Sequence, residues 1–174
     1  QILRELVPGA ARIAYLMNPK TADARSFVKE VEAAAEVTAT KIEVLQASSE
    51  GEIEAAFTAI KQSRANALLV GADAFFITRR DQIVALAARL GIPACYGFRE
   101  YAVAGGLMSY GPDLAEGYRQ AGVYAARILK GARPADMPVI QLSKFELIIN
   151  LNTARKLGLA ISRDFLARVD EVIQ

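Results

Sequence analysis

Short apolar runs rich in β-branched residues alternate along this chain with stretches whose apolar positions recur every three or four residues. The first run, Arg12-Ile13-Ala14-Tyr15-Leu16-Met17, is closed by Asn18-Pro19. Ala24, Phe27, Val28, Val31 and Ala35 follow at helical spacing with Lys29, Glu30 and Glu32 between them, which predicts an amphipathic helix. Lys41 to Leu45 alternates like a half-exposed strand. Ser49 followed by Glu52 matches a capping box opening a helix whose stripe is Ile53, Ala56, Phe57 and Ile60. The scheme repeats with Ala67-Leu68-Leu69-Val70, then Ile83, Leu86, Ala87 and Leu90 stopped by Gly91, and a further strand over Ile92 to Tyr96. Parallel strands need a crossover, most often a helix, so this rhythm predicts an α/β fold, a three-layer sandwich with a mainly parallel sheet.

From Gly97 the rhythm breaks. Gly105-Gly106 precedes the short apolar run Leu107-Met108, which reads as a crossover. Pro112 stands where a helix can begin, and Leu114, Tyr118, Ala121, Ala125, Ile128 and Leu129 line one face of it as far as Gly131. Residues 132–138, with Pro134 and Pro138, read as a linker. A last strand over Phe145 to Ile149 is followed by Asn152 as the expected N-cap of a short helix ending near Gly158.

Composition removes several functions. The chain has 174 residues, enough for a sizeable core, but no histidine and a single cysteine, Cys95, so the commonest metal ligand and general base are missing and no internal disulfide can form. Neither a GxGxxG nor a GxxxxGK loop follows any strand, and no cofactor is expected. With 21 Lys and Arg against 19 Asp and Glu, the net charge of +2 gives no field for nucleic acid. No apolar run approaches the roughly 18 residues of a membrane span, and no signal core is seen. The sequence opens within what reads as a helix, so any targeting segment is expected to lie outside it.

Alternating α/β chains place their ligands at the carboxyl ends of the strands, where loops meet helix N-termini. Three exits carry chemistry. Asn18 to Asp23, with Thr21, offers amide, hydroxyl and carboxylate groups suited to a small anionic group, or else forms an ordinary capped turn. Gly71 to Ile77 sets Asp73 beside Phe75 and Phe76, a pairing that can hold an ammonium against aromatic surface; otherwise Asp73 is a turn former and the rings are core. In Gly97-Phe98-Arg99-Glu100-Tyr101, Arg99 can fork onto a ligand carboxylate or pair on the surface. Tyr110, in Ser109-Tyr110-Gly111-Pro112, is a ligand or hinge residue. Asp73 and Glu100 both stand at exits, so an enzyme using paired carboxylates stays open.

These same segments carry a resemblance. Val7-Pro8-Gly9, Arg12-Ile13-Ala14 leading to Asn18-Pro19, Ala67 to Val70 leading to Asp73 and Phe75-Phe76, Tyr96-Gly97-Phe98-Arg99-Glu100, Gly105-Gly106-Leu107-Met108-Ser109-Tyr110-Gly111 and Lys144 to Asn150 together look like the ABC-transporter substrate-binding family that includes tryptophan- and tyrosine-binding lipoproteins. The match runs over essentially the whole chain. It implies a type I periplasmic-binding-protein fold, with two αβ lobes closing on a ligand, and a chain of about half the usual length.

By that resemblance residues 1–98 form the main part of the second lobe, 99–138 a hinge crossover and a helix of the first lobe, and 139–174 the return, most of the first lobe being absent. It implies a solute-binding component of an ABC importer that performs no catalysis. The expected ligand is an amino acid or similar zwitterion, contacted by Asn18, Thr21, Asp73, Phe75, Phe98, Arg99 and Tyr110. The expected partner is a membrane permease, and the expected place the periplasm or a lipoprotein anchor. By the same resemblance the segment from Gly105 to Gly131 loses the sheet it packs on and exposes an apolar stripe, which invites a homodimer or domain swap. Two other classes share the architecture: the effector-binding domain of a lactose-repressor-like transcription regulator, and an enzyme on a flavodoxin-like sheet.

Overall fold

The computed structural model describes residues 2–140 and 144–174. In chain order it contains α1 (Ile2–Leu6), β1 (Arg12–Met17), α2 (Ala24–Val37), β2 (Lys41–Gln46), α3 (Glu50–Ser63), β3 (Ala67–Val70), α4 (Ala74–Thr78), α5 (Arg80–Leu90), β4 (Ala94–Tyr96), α6 (Arg99–Val103), β5 (Met108–Pro112), α7 (Leu114–Leu129), β6 (Phe145–Asn150), α8 (Leu151–Lys156), α9 (Arg163–Leu166) and β7 (Glu171–Ile173). The strands form one seven-stranded sheet in the order β2-β1-β3-β4-β5-β6-β7, parallel throughout except where β5 meets β6.

The period-two pattern sorts the strand residues onto two faces. Ala14, Leu16, Leu68, Val70, Ala94 and Tyr96 point to one side, where Ile53, Phe57 and Ile60 of α3, Phe76 of α4, Ile83 and Ala87 of α5 and Tyr101 of α6 cover them. Ile13, Ala67, Cys95, Met108, Leu147 and Ile149 point to the other, under Leu3 and Leu6 of α1, Ala154 of α8 and Phe165 of α9. Tyr15 and Met17 continue that second face toward α2 and meet Ala24 there. Two helix-bearing layers thus enclose the sheet, the sandwich expected from the alternation.

Several local expectations hold. Ser49 caps α3 by accepting from the Glu52 amide at 3.3 Å, while Glu52 reaches back to the Ser48 amide at 2.6 Å. Gly91 ends α5 in the left-handed region at φ 62°. Three others are revised. Pro112 closes β5 against Phe145, and it is Asp113 that caps α7, accepting from Ala115 N at 2.9 Å and Glu116 N at 3.2 Å. Asn150, not Asn152, caps α8, accepting from Thr153 N at 3.1 Å, because the strand runs one residue further than its apolar pattern and turns at once into helix. The Gly105–Gly111 stretch, read as a crossover, instead supplies β5 to the interior of this sheet, with Leu107, Met108 and Ser109 buried.

α2 and α7 differ from the other long helices. The stripe of α2 is only part covered, with Phe27 41% exposed. α7 buries no residue at all, and Tyr118 and Leu129 stand 78% and 88% exposed. Residues 99–138 therefore divide: α6 and β5 belong to this sheet's packing, whereas α7 lies on no layer of it. Among the described residues no helix is long and apolar enough to cross a membrane.

Candidate functional site

β1 is paired along both edges, with β2 on one side and β3 on the other. The chain leaves β1 through α2 to one side of the sheet and leaves β3 through α4 to the opposite side, so β1 and β3 flank a topological switch point. There the two outgoing connections part and open a crevice at the carboxyl ends of the strands. Leu16 pairs with Val70 in register, which brings Asn18 and Gly71 to the same rim.

Three residues expected at a site converge at this point. Asp73 caps α4: its Oδ1 accepts from the amides of Phe75 at 2.9 Å and Phe76 at 3.1 Å. The same oxygen accepts from Asn18 Nδ2 at 3.1 Å, and Oδ2 accepts the Thr21 hydroxyl at 2.8 Å. Asn18, only 8% exposed, uses its own Oδ1 to accept from the Lys20 amide at 3.0 Å. Burial alone would push the Asp73 carboxyl up, but hydrogen bonds from Asn18, Thr21 and the amides of Phe76 and Phe75 outweigh it and hold the group below its ordinary value.

Next to this polar knot, on the α2 side of the sheet, lies a groove of about 250 Å³. Tyr15, Leu69 and Cys95 floor it, Phe27 and Val31 of α2 wall one side and Tyr110 the other, and Gly71, Ala72 and Gly97 form its lip. Burial and the nearby Glu30 carboxylate raise the Tyr15 phenol above its usual range, and burial pushes the Cys95 thiol up to about 12, so both are neutral at physiological pH. Tyr110 is 46% exposed and its ring centroid lies 5.6 Å from that of Phe145.

The remaining expected residues are placed differently. Phe75 and Phe98 are half-buried and pack against the core cluster on the opposite face. The Arg99 fork is occupied: Nε donates to Glu171 Oε2 at 3.0 Å and Nη2 to Oε1 at 2.6 Å. Glu100 is half-buried with one oxygen, Oε2, unpartnered. The two formal charges that the sequence offered to a zwitterion, Asp73 and Arg99, are thus both engaged within the fold. Among the described residues no cluster of three or more His, Cys, Asp or Glu is placed to hold a metal.

Tyr15 and Phe27 were not expected at a site, and Gly71 and Ala72 only as part of the Gly71 to Ile77 exit. Tyr15 shares the period of Ile13 and Met17 and so reads as core. Gly71 carried a signal: a Cβ there would stand 3.2 Å from the Tyr15 hydroxyl, the close approach that a glycine directly after a strand announces. A larger concavity of about 400 Å³ lies between α7 and residues 134–140, lined by Gln120, Tyr124, Ile128 and Met137. It is an open seam without a charged lining residue, away from every strand exit, whereas the rim of β1 and β3 gathers the converging polar groups.

Comparison with known proteins gives a family and a fold. The family model described as ABC transporter substrate binding protein matches residues 1–173. No curated protein matches the chain. A domain in complex with L-Trp from Streptococcus pneumoniae superposes at a TM-score of 0.90 with 26% identity, covering 99% of this chain and 59% of that one. A conserved domain protein from Vibrio cholerae gives 0.90 at 23% identity over 98% of this chain and 57% of that one. The ligand-free, open form of a substrate-binding protein with adhesive properties from Clostridium difficile gives 0.72 at 18% identity over 99% and 58%. The last two likenesses are of fold. The chain spans less than two thirds of the length of each of the three structures.

Proposed function

The chain belongs to the ABC transporter substrate binding protein family, and from that premise we propose that it binds a small solute at the exits of β1, β3 and β4, for delivery to a membrane permease without chemical change. The observation that carries this reading is the convergence of Asn18, Thr21 and Asp73 at the switch point of the sheet, beside an open, largely apolar groove. A rigid polar rim next to apolar surface suits a small molecule with a polar head and an apolar body. An amino acid or similar zwitterion is such a molecule, and the pneumococcal likeness, whose structure holds L-Trp, supports that class.

In this reading Asn18, Thr21, Asp73 and Tyr110 form one wall of the cleft. Phe75 and Phe98 shape its rim, and Arg99 fixes α6 through Glu171. The opposite wall comes from a first lobe, and the uncovered face of α7 is the surface that packs there, which accounts for a helix with no buried residue. A ligand bridging two lobes stabilises their closed form by its differential affinity, and the closed form is what a permease distinguishes. Such a protein works outside the cytoplasmic membrane, in the periplasm or as an anchored lipoprotein.

A thermal-shift panel of amino acids and other small metabolites on the whole protein tests the proposal, since a ligand that binds only the native state raises Tm. At a hundred-fold excess over Kd the stabilisation is about 2.7 kcal/mol, roughly 5 to 11 °C for a domain of this size. A shift confined to amino acids supports the zwitterion class. A folded protein that responds to no small molecule overturns the proposal.

A further inference from the structure

The Asp73 carboxylate presents about four lone-pair directions, and four donors already use it: the amides of Phe75 and Phe76, the Asn18 amide group and the Thr21 hydroxyl. Two of these are local, the ordinary reward of an N-cap. The other two come from 55 and 52 residues away, from the loop that leaves β1. Asn18 in turn holds the Lys20 amide at 3.0 Å, so the shape of that loop hangs on groups that Asp73 fixes. An ammonium from a ligand would find Oδ1 crowded by three donors and only one lone-pair direction of Oδ2 left beside the Thr21 hydroxyl.

We infer that Asp73 is a positioning residue that clamps the β1 exit to the β3 exit and preforms the cleft wall, rather than the counter-charge of the ligand. The wall then meets a solute through the Thr21 and Tyr110 hydroxyls, the backbone of the Gly71-Ala72 lip and the apolar floor, and the Glu30 carboxylate of α2 also lines the groove. The functional meaning of the clamp rests on the cleft proposed above, but the clamp itself is testable without any ligand.

The test is amide hydrogen exchange of the whole, ligand-free protein. A cap that serves only α4 protects only Phe75 and Phe76. A clamp protects the far loop as well, so Asp73→Ala speeds exchange about ten-fold or more, the effect of losing hydrogen bonds to a charged group, both at Phe75 and Phe76 and at Lys20 and Thr21. Asp73→Asn keeps an acceptor for the amides and restores most of the protection at both exits. Unchanged exchange at Lys20 and Thr21 in Asp73→Ala overturns the inference. Should Asp73→Ala not fold, Thr21→Val leaves the cap and Asn18 intact and must still speed exchange from Lys20 to Ala24; no change there also overturns it. Titration with L-tryptophan as the probe adds a second arm: Asp73→Asn retains affinity within about three-fold if the carboxylate positions, and loses more than ten-fold if it is a counter-charge, the size of one charged hydrogen bond. Absence of L-tryptophan binding in the wild type counts against the zwitterion reading and leaves the exchange result to decide the clamp.

Discussion

Gly111 lies so close to Gly97 that a Cβ built on it would stand 1.8 Å from the Gly97 carbonyl oxygen. The obstacle is backbone, which cannot swing aside as a side chain can. Gly111→Ala must therefore push the exits of β4 and β5 apart, at the rim of the proposed cleft. Overpacking of this kind costs about 1 to 3 kcal/mol and sometimes more, or roughly 2 to 12 °C in Tm for a domain of this size. Gly51→Ala, in α3 with nothing within 4 Å of its Cβ, is the control and raises Tm slightly. Melting curves of the two variants decide it, and an unchanged Tm for Gly111→Ala would show that the two exits separate freely.

The Asp73 carboxyl is held below its ordinary value in the folded state by its donors. A depressed folded-state pKa contributes stability that is full above the unfolded value of about 4 and is lost as pH falls through the folded one. In Asp73→Asn this contribution is absent at every pH. Wild type should be the more stable at pH 7, and the gap between the two should close on acidification below about pH 4. Urea unfolding at a series of pH values measures the gap. A gap that is constant from pH 7 to pH 3 would mean that the charge on Asp73 does not matter to the fold.

Arg99 and Glu171 join the start of α6 to the last strand by two N–H to O bonds, with side chains 49% and 42% exposed. Solvent screens a pair this open, so its coupling is about 0.2 to 1 kcal/mol. A double-mutant cycle should show Arg99→Ala and Glu171→Ala each slightly destabilising, with the double variant scarcely worse than either. In the whole protein, both single variants should leave ligand affinity within about two-fold, a change of under half a kcal/mol. A large loss of affinity in Arg99→Ala alone would return Arg99 to the ligand.

The alternation of periods made the sheet and its helices legible because burial on both faces leaves a mark on every strand and helix that shares the core. The segments it missed are those whose order comes from contacts distant in sequence. β7 is three residues long and finds its place through pairing with β6, while α4 and α6 are single turns fixed by Asp73 and by the sheet beneath them. At the site, the strand-exit rule located Asn18, Thr21 and Asp73. It did not show that they bond to one another, since that depends on β1 and β3 being neighbours in register. Nor did it show that Arg99 is taken by a residue 72 positions away. Helical periodicity in α7 gave the helix correctly but not its surroundings, as an apolar stripe states that something covers it and not what.

Cys95 sits on the floor of the groove at 8% exposure, with its thiol pushed up to about 12 by burial. Alkylation proceeds through the thiolate, and at pH 8 a group of that pKa is ionised in roughly one molecule in ten thousand, against about a quarter for a free thiol. Native protein should therefore react with iodoacetamide about a thousand-fold more slowly than the unfolded chain, or slower still where access is limiting. The rate should rise about ten-fold per pH unit between pH 8 and pH 10, provided that the protein stays folded. Labelling of the native state at the rate of a free thiol would mean that the floor opens readily, and that the apolar face between α2 and Tyr110 is mobile rather than a formed wall. Protection that deepens when a solute is added would place the solute in contact with that floor, or show that closure covers it. Tyr110→Ala, compared with wild type with both saturated by the solute, separates the two, because it widens the groove without touching the clamp at Asp73: a solute seated on the floor then protects Cys95 less, whereas closure by a distant lobe protects it as before.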